Sequence, residues 1–215
     1  MSKKKVLLTA ILILVTLASA CNSAQRAEPL LYTDDFSDNT SGWTQSQDVT
    51  GTMSYLDGSY QIFVNRINTL LLATPGQKFQ GDVSIEVDAH KAVGPDDNYY
   101  GVLCRYQDPD NYYLLLISSD GYAGIAMRKA GVFSLISPGL KFLKMNGIRL
   151  GSGTNHIRAD CIGDTMTLYA NGTQVNTAVD VENSFSSGQV GLAARSGSLA
   201  AGVDIRFDNF RVYQP

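Results

Sequence analysis

Residues 81–90 read GDVSIEVDAH, and the alternation in this stretch decides the fold class. Every second position is apolar: Val83, Ile85, Val87 and Ala89. Because successive side chains of a β-strand point to opposite faces of a sheet, a period of two predicts a strand that buries one face and exposes the other. We expect residues 81–90 to form such a strand.

The same alternation recurs at residues 155–162, and turn signals separate the alternating stretches. The dipeptides Asp-Gly at 57–58 and Asn-Gly at 171–172 are typical of tight hairpins, because both residues tolerate the positive φ of a two-residue turn. No stretch of ten or more residues shows a clear helical period; residues 140–150 come nearest and are punctuated by glycines. Short strands with frequent turns predict an all-β sandwich or barrel.

The last predicted strand changes parity along its length. Its apolar residues occupy odd positions up to Phe207 and even positions from Phe210 onwards. A one-residue shift of this kind predicts a β-bulge at Asp208 and Asn209, which would re-aim the rest of the strand.

The N-terminus carries an export signal. Three lysines at positions 3–5 precede an apolar run over residues 6–20, which ends in small residues directly before Cys21. This order is typical of a secretory signal peptide, and a cysteine in that place resembles the lipobox of bacterial lipoproteins. The resemblance implies cleavage before Cys21 and its modification with diacylglycerol and palmitate.

We therefore expect a lipoprotein signal peptide over residues 1–20, a polar tether over residues 21–29 and a folded domain over residues 30–215. The protein would be extracytoplasmic and would contact a bacterial membrane through its lipid anchor. The alternatives are a plain signal peptide or an uncut membrane anchor. The apolar run, residues 6–20, is about 15 residues long, short of the roughly 20 that cross a bilayer as a helix.

Charge excludes some classes of partner. The 215-residue chain has a formal net charge of −3, which becomes −6 when the three lysines of the leader are removed. A mildly acidic domain without a basic stripe predicts no nucleic-acid partner and no electrostatic binding to anionic lipid beyond the anchor.

The chain has three cysteines. If Cys21 is lipidated, Cys104 and Cys161 remain, and an exported protein meets an oxidising environment in which thiols pair. We expect these two residues to form a disulfide; two buried free thiols are the alternative. No CxxC pair or His/Cys cluster suggests a zinc site.

Several motifs, taken in order, resemble the concanavalin-A-like jelly-roll superfamily over residues 31–213. Within it the chain is similar to bacterial laminin-G-like and 3-keto-disaccharide-hydrolase-like domains. The resemblance implies a sandwich of two stacked antiparallel sheets, and in many members a glycan ligand. The motifs are Asp-Asp-Phe at 34–36, Gly-Trp at 42–43, YGVLCRY at 100–106, LYANG at 168–172, GQVGL at 188–192 and FDNFRV at 207–212.

The polar face of residues 81–90 carries Glu86, Asp88 and His90. Laminarinase-like hydrolases of this superfamily have Glu-x-Asp-x-Glu on one strand, and here His90 stands in place of the second glutamate. Retaining glycoside hydrolysis needs two carboxyl groups about 5–5.5 Å apart, so we expect no catalytic residues here. The three side chains are instead candidates for a ligand face, or for a solvated polar surface.

Strand parity brings further residues to this candidate face. If Cys104 and Cys161 point into the core, Arg105 and Arg158 point outwards, and Tyr99 shares the parity of Arg105. Aromatic rings stack on sugars and arginine donates hydrogen bonds in a fixed fork, so a glycan is the expected ligand. The alternative is cross-strand ion pairing among Glu86, Asp88, Arg105, Arg158 and Asp160.

A structural calcium ion is implied by the resemblance alone. Laminarinase-like domains often hold calcium near a closing motif like that around Asp208, with help from the N-terminal strand. In this chain Asp34, Asp35 and Asp38 are the candidate partners of Asp208. The alternative to a calcium ligand is that the Asp208 side chain caps the bulge. No other cofactor is expected.

The expected role is non-catalytic binding of carbohydrate or of the cell envelope. The alternatives are a glycoside hydrolase acting on disaccharide-like substrates and a structural module for protein contacts. Two free carboxyl groups in a groove would favour the enzyme, an aromatic groove without them would favour the binding module, and a face with every charge paired would favour the structural role.

Overall fold

The computed structural model describes residues 28–215, which form two antiparallel sheets packed face to face. Sheet A contains β1 (Leu30–Asp34), β2 (Ser46–Gln47), β3 (Gly51–Leu56), β4 (Ser59–Val64), β7 (Val83–Val93), β13 (Asn155–Ile162), β14 (Thr165–Ala170), β15 (Thr173–Val179) and β17 (Val203–Tyr213). Sheet B contains β5 (Leu70–Ala73), β6 (Lys78–Phe79), β8 (Asn98–Asp108), β9 (Asn111–Ile117), β10 (Tyr122–Lys129), β11 (Val132–Leu135), β12 (Leu143–Lys144) and β16 (Gly188–Ser196). A short 3₁₀ turn covers Pro138–Leu140.

The strand order shows a jelly-roll sandwich, as the sequence predicts. Sheet A runs β15-β14-β13-β7-β17-β4-β3-β2, with β1 paired to the C-terminal half of β17. Sheet B runs β11-β10-β9-β8-β16-β5, with β6 on β16 and β12 on β10. Strands that are adjacent in space are often distant in the chain, which is typical of this topology.

Strand β7 has the predicted alternation. Its residues Val83, Ile85, Val87 and Ala89 are buried between the sheets. The strand begins two residues later than predicted, since Gly81 has a φ of 83° and belongs to the preceding turn. The other predicted alternating strand matches β13 (Asn155–Ile162) residue for residue.

The predicted bulge in β17 is present. The register against β7 shifts between Asp208 and Arg211, and Asn209 has a φ of 55°. Because the extra residue changes the parity, Phe207 and Phe210 both point into the core despite their odd spacing.

An aromatic cluster fills one end of the core. Trp43 lies 4.9 Å from the ring of Phe210, 5.2 Å from Phe36 and 5.3 Å from Tyr60, measured between ring centroids. Its indole Nε1 donates a 2.8 Å hydrogen bond to Asp34, so the polar atom of this buried ring is satisfied.

The predicted disulfide is present and links the two sheets. Cys104 of β8 and Cys161 of β13 are bonded, with their Cα atoms 6.8 Å apart. Since β8 belongs to sheet B and β13 to sheet A, the bond joins the two sheets rather than two strands of one sheet. The alternative of two free thiols is wrong.

The predicted signal peptide and the lipidation site Cys21 lie outside the described residues. Within residues 28–215, no helix is long and apolar enough to cross a bilayer.

Removing the disulfide should lower stability without abolishing the fold. The bond closes a loop of 57 residues, for which the chain-entropy model gives about 4 kcal/mol. For a domain of this size that loss corresponds to a fall in Tm of about 10 °C. Calorimetry of the domain before and after reduction measures the shift, with the Cys104→Ala/Cys161→Ala variant as a control that reductant should not affect. An unchanged Tm on full reduction would contradict the prediction.

Candidate functional site

The outer face of sheet A is lined with charges that pair with one another. Arg158 on β13 bonds through Nε to Asp160 at 2.8 Å and through Nη2 to Glu28 at 3.0 Å, and its Nη1 lies 3.9 Å from Glu86. Burial alone would lower the pKa of Arg158, but the hydrogen bonds to Asp160 and Glu28 raise it above its usual value. This guanidinium is held by three carboxylates and has little capacity left for a ligand.

His156 contacts the two carboxylates on the outer face of β7, those of Glu86 and Asp88. The Nδ1 atom of His156 lies 2.8 Å from Asp88, and its Nε2 atom lies 3.9 Å from Glu86. Asp88 also accepts a 3.0 Å hydrogen bond from Asn209. His90 lies on the same face and lines a neighbouring cavity of about 250 Å³ with Asp88 and Asp208. The carboxyl groups of Glu86 and Asp88 are therefore engaged by protein groups.

Arg105 does not lie on an outer face, and this part of the sequence prediction is wrong. It has a φ of 53° at a bulge in β8, which breaks the parity on which the prediction depended. The side chain is 2% exposed and turns towards sheet A. It donates to the carbonyls of Gly163, Phe185 and Cys161 and to the carboxylate of Asp82, over 2.7–3.1 Å.

The candidate ligand face is consequently divided among three places. Tyr99 lies on the outer face of sheet B, and Arg105 lies between the sheets beside the disulfide. The remaining members share the outer face of sheet A: Glu86, Asp88, His90 and Arg158. That these residues contact a ligand stays a prediction. They do not form the one surface that the sequence predicts, because Tyr99 and Arg105 lie apart from the residues on sheet A.

The candidate calcium ligands do not all converge, since Asp34 and Asp35 line one cavity with Asp38 and Asp208 lines another. Asp34 already accepts hydrogen bonds from the Phe36 amide, Ser41 and Trp43. Asp35 is bonded to Ser37, and Asp208 lines a different cavity and caps the Asn209 amide. Among the described residues no group of three or more acidic, histidine or cysteine side chains is placed to hold a metal. The predicted set of Asp34, Asp35 and Asp208 is therefore not brought together, and calcium binding itself stays a prediction.

Sheet B is apolar on its outer face as well as on its inner face. A second hydrophobic cluster covers β8, β9, β10 and β16, and its buried members are Leu103, Tyr112, Leu114, Leu116, Ala126 and Ala193. Leu135 and Phe142, which follow β10 in the chain, pack against this cluster. The ring of Phe142 lies 4.2 Å from that of Tyr99, so the irregular segment after β10 is attached to the sheet by aromatic contact.

This covering is incomplete and leaves a groove of about 270 Å³, which we call the sheet B groove. Leu114 and Leu116 form its floor, and none of its lining side chains is a carboxylate. Phe133 on the edge strand β11 is 46% exposed at its rim. The full lining is Asn68, Leu70, Leu114, Leu116, Arg128, Phe133, Phe142 and Arg195.

Two arginines supply the charge of the sheet B groove. Arg128 on β10 contacts Asp110 at 3.3 Å. Arg195 on β16 donates to Asn68 at 3.4 Å and lies 5.8 Å from the centroid of the Tyr99 ring. Burial, and after it the carboxylates of Asp120 and Asp97, raise the pKa of Tyr99, so its hydroxyl remains a hydrogen-bond donor at neutral pH.

These groups can bind a ligand, and no carboxylate of the described residues lines the groove beside them. An apolar floor, aromatic rings and a few fixed donors are the usual content of a small-ligand site. Sequence reasoning found Tyr99 but missed Asn68, Arg128, Phe133, Phe142 and Arg195. The available signal was the unbroken apolar run YYLLLI at residues 112–117, which predicts a strand buried on both faces.

Solved proteins with this fold include sugar-binding and sugar-cleaving ones. The chain is similar to the carbohydrate-binding module CBM66 of Bacillus subtilis, with a TM-score of 0.62, 21% identity and coverage of 80% of this chain and 96% of that one. A Bacillus subtilis protein of unknown function with a galectin-like fold gives a TM-score of 0.64 at 11% identity, over 86% and 96% of the two chains. A Bacillus licheniformis beta-glucanase gives 0.61 at 11%, over 88% and 100%.

No family model and no curated protein matches the sequence. The structural neighbours have the galectin-like or concanavalin-A-like jelly-roll fold, and at these identities they show the fold alone. This confirms the resemblance at the level of the fold.

Arg105, which points inwards, and Arg158, which points outwards, should differ sharply in their contribution to stability. Arg105→Met should lower the free energy of unfolding by about 3 kcal/mol, because it removes a buried guanidinium that donates four hydrogen bonds. Arg158→Met is the matched control, and since that side chain is 33% exposed its loss should cost about 1 kcal/mol. Urea denaturation of both variants measures the difference. Equal losses would contradict a structural role for Arg105.

Proposed function

We propose that this protein is a non-catalytic glycan-binding module whose ligand lies in the sheet B groove. One observation carries the proposal: the groove combines an exposed aromatic ring, an arginine without a carboxylate partner and an apolar floor. The outer face of sheet A offers no equivalent, because Arg158 and His156 are occupied by acidic neighbours and Arg211 shares its cavity with Asp34, Asp35 and Asp38.

The chemistry of the groove suits a sugar. Pyranose rings have an apolar face that stacks on aromatic side chains, and Phe133 and Phe142 supply such surfaces. Sugar hydroxyls accept hydrogen bonds, and the guanidinium of Arg195 and the amide of Asn68 can donate them. The groove is slightly smaller than the roughly 300–1,000 Å³ of typical ligand pockets, so it suits a short or terminal unit rather than a long chain.

The glycoside hydrolase alternative has weaker support. Glycoside hydrolysis usually needs one carboxyl group as acid and another as nucleophile or base. The sheet B groove has none, and the two on β7 are engaged by His156 and Arg158. A structural module for protein contacts is the remaining alternative, and it would show no affinity for any glycan.

We further propose that the protein is extracytoplasmic and is anchored to a bacterial membrane through a lipid on Cys21. The basic residues at 3–5, the apolar run over 6–20 and the small residues before Cys21 support this proposal. A disulfide between Cys104 and Cys161 agrees with an oxidising compartment.

Glycan binding can be tested with the oxidised domain, residues 22–215, on a glycan array, followed by calorimetry with a bound glycan. Phe133→Ala should weaken binding about fivefold, because stacking on one aromatic ring contributes about 0.5–1.5 kcal/mol. Tyr169→Ala, which removes an aromatic ring from the cavity on sheet A, should have no effect.

Two results would count against this site. Loss of binding in Tyr169→Ala but not in Phe133→Ala would place the ligand on sheet A. Failure of every glycan to bind would favour the structural module.

Anchoring is tested separately in a bacterial host that expresses the full chain. Cys21→Ala should release the protein from membranes or stall its processing, because the lipidated residue is lost. Mass spectrometry of membrane-isolated wild type should find a modified Cys21 at the mature N-terminus. An unmodified Cys21 in that fraction would contradict the proposal, and Cys104→Ala serves as a control for loss of a cysteine elsewhere.

A further inference from the structure

Arg195 is the cation of the sheet B groove that no acidic side chain neutralises. Of the two arginines that line the groove, Arg128 contacts the carboxylate of Asp110 at 3.3 Å. Arg195 has no such contact within residues 28–215, and its one side-chain hydrogen bond is to the Oδ1 atom of Asn68. That bond leaves most donors of its guanidinium available to the groove.

Asn68 adds a second free donor beside Arg195. Its Oδ1 atom accepts from Arg195, and its Nδ2 amide makes no hydrogen bond to any other described residue. An oxygen pair placed between the two side chains can therefore accept from the guanidinium and from the amide together. A carboxylate has two such oxygens in one plane, whereas a hydroxyl has one.

Arg128 reinforces the positive potential on the other side of the groove. It stands on β10, three strands away from β16, which corresponds to about 14 Å at the usual strand spacing. Its Nη2 atom contacts Asp110, but its Nε atom is buried without a hydrogen-bond partner in the described part of the chain. Arg128 therefore adds a cation to the second rim, although Asp110 offsets part of its charge, and Arg195 and Asn68 are the side chains with donors free for a ligand.

The nearest acidic residues do not cancel this potential inside the groove. Asp110, Asp97 and Asp120 approach Arg128 or Tyr99, but none of them lines the groove. The lining of the groove is therefore basic, whereas the whole chain has a net charge of −3. Its apolar walls also reduce screening by water, which strengthens the attraction for an anion.

We infer that the sheet B groove recognises an acidic sugar, with the sugar carboxylate held by Arg195 and Asn68 and the ring lying against the apolar floor. This inference rests on the proposed glycan-binding function and specifies its ligand class. The carboxylate supplies the counter-charge that Arg195 lacks, and charge-assisted hydrogen bonds of this kind are stronger than bonds to neutral hydroxyls.

The test is an array that presents each acidic glycan beside its carboxyl-reduced, neutral counterpart. Oligogalacturonides, oligomannuronates, hyaluronan fragments and sialyllactose are suitable probes. Wild type should prefer the acidic member of a pair by about tenfold or more, since reduction removes a charge-assisted hydrogen bond. The preference should weaken as the salt concentration rises.

Two variants test whether Arg195 and Asn68 cause the preference for the acidic sugar. Arg195→Gln should lower affinity for the acidic member about tenfold and affinity for the neutral member by a smaller factor, because only the acidic member loses a charge-assisted hydrogen bond. Asn68→Asp places a carboxylate beside Arg195 at an exposed loop position, so it should have the same effect without disturbing the fold. Arg211→Gln, which removes an exposed arginine from sheet A, is the control and should bind as wild type does.

The outcomes separate this inference from the proposed function. Equal binding of the acidic and neutral members, or wild-type affinity in both Arg195→Gln and Asn68→Asp, would overturn the acidic-sugar inference and leave glycan binding intact. Binding of no glycan at all would overturn the proposed function, and the inference would fail with it.

Discussion

Burial of the outer face of sheet B is the constraint on which the rest of this structure depends. A sandwich needs one apolar face per sheet, but β9 is buried along nearly its whole length and so is apolar on both. The second face would be exposed to water unless another part of the chain covered it, and Leu135 and Phe142 provide that cover. The cover is incomplete towards β16 and the edge strand β5, and the uncovered part is the sheet B groove. The same apolar excess therefore produces both the second hydrophobic cluster and the candidate site.

The charged side chains on the outer faces of the two sheets differ in how they are paired. On sheet A, β7 and β13 place opposite charges side by side in register, with Arg158 across from Glu86 and His156 across from Asp88. Such exposed pairs contribute little stability, but they leave few groups free to bind anything else. On sheet B the few charged residues stand at the margin of an apolar surface, where Arg195 forms no ion pair with any residue from 28 to 215.

Local pattern was sufficient to predict the elements but not the site. The alternation in β7 and the parity change at Asp208 are properties of adjacent residues, so the sequence displays them directly. The pairing of Cys104 with Cys161 followed from counting and compartment. Arg105 was misplaced because a positive φ at one residue reverses its direction, and arginine gives no sequence signal for that conformation. The sheet B groove was missed because Asn68, Arg128 and Arg195 meet only when β5, β10 and β16 are assembled into one sheet.

The contact between Glu28 and Arg158 has a geometric consequence for a tethered protein. It holds the beginning of the described chain against the outer face of sheet A. Cys21 precedes Glu28 by seven residues, which extend to at most about 25 Å. If Cys21 carries a lipid, the tether would therefore join the folded domain on the side of sheet A. The sheet B groove would then lie on the opposite side of the sandwich from that point of attachment.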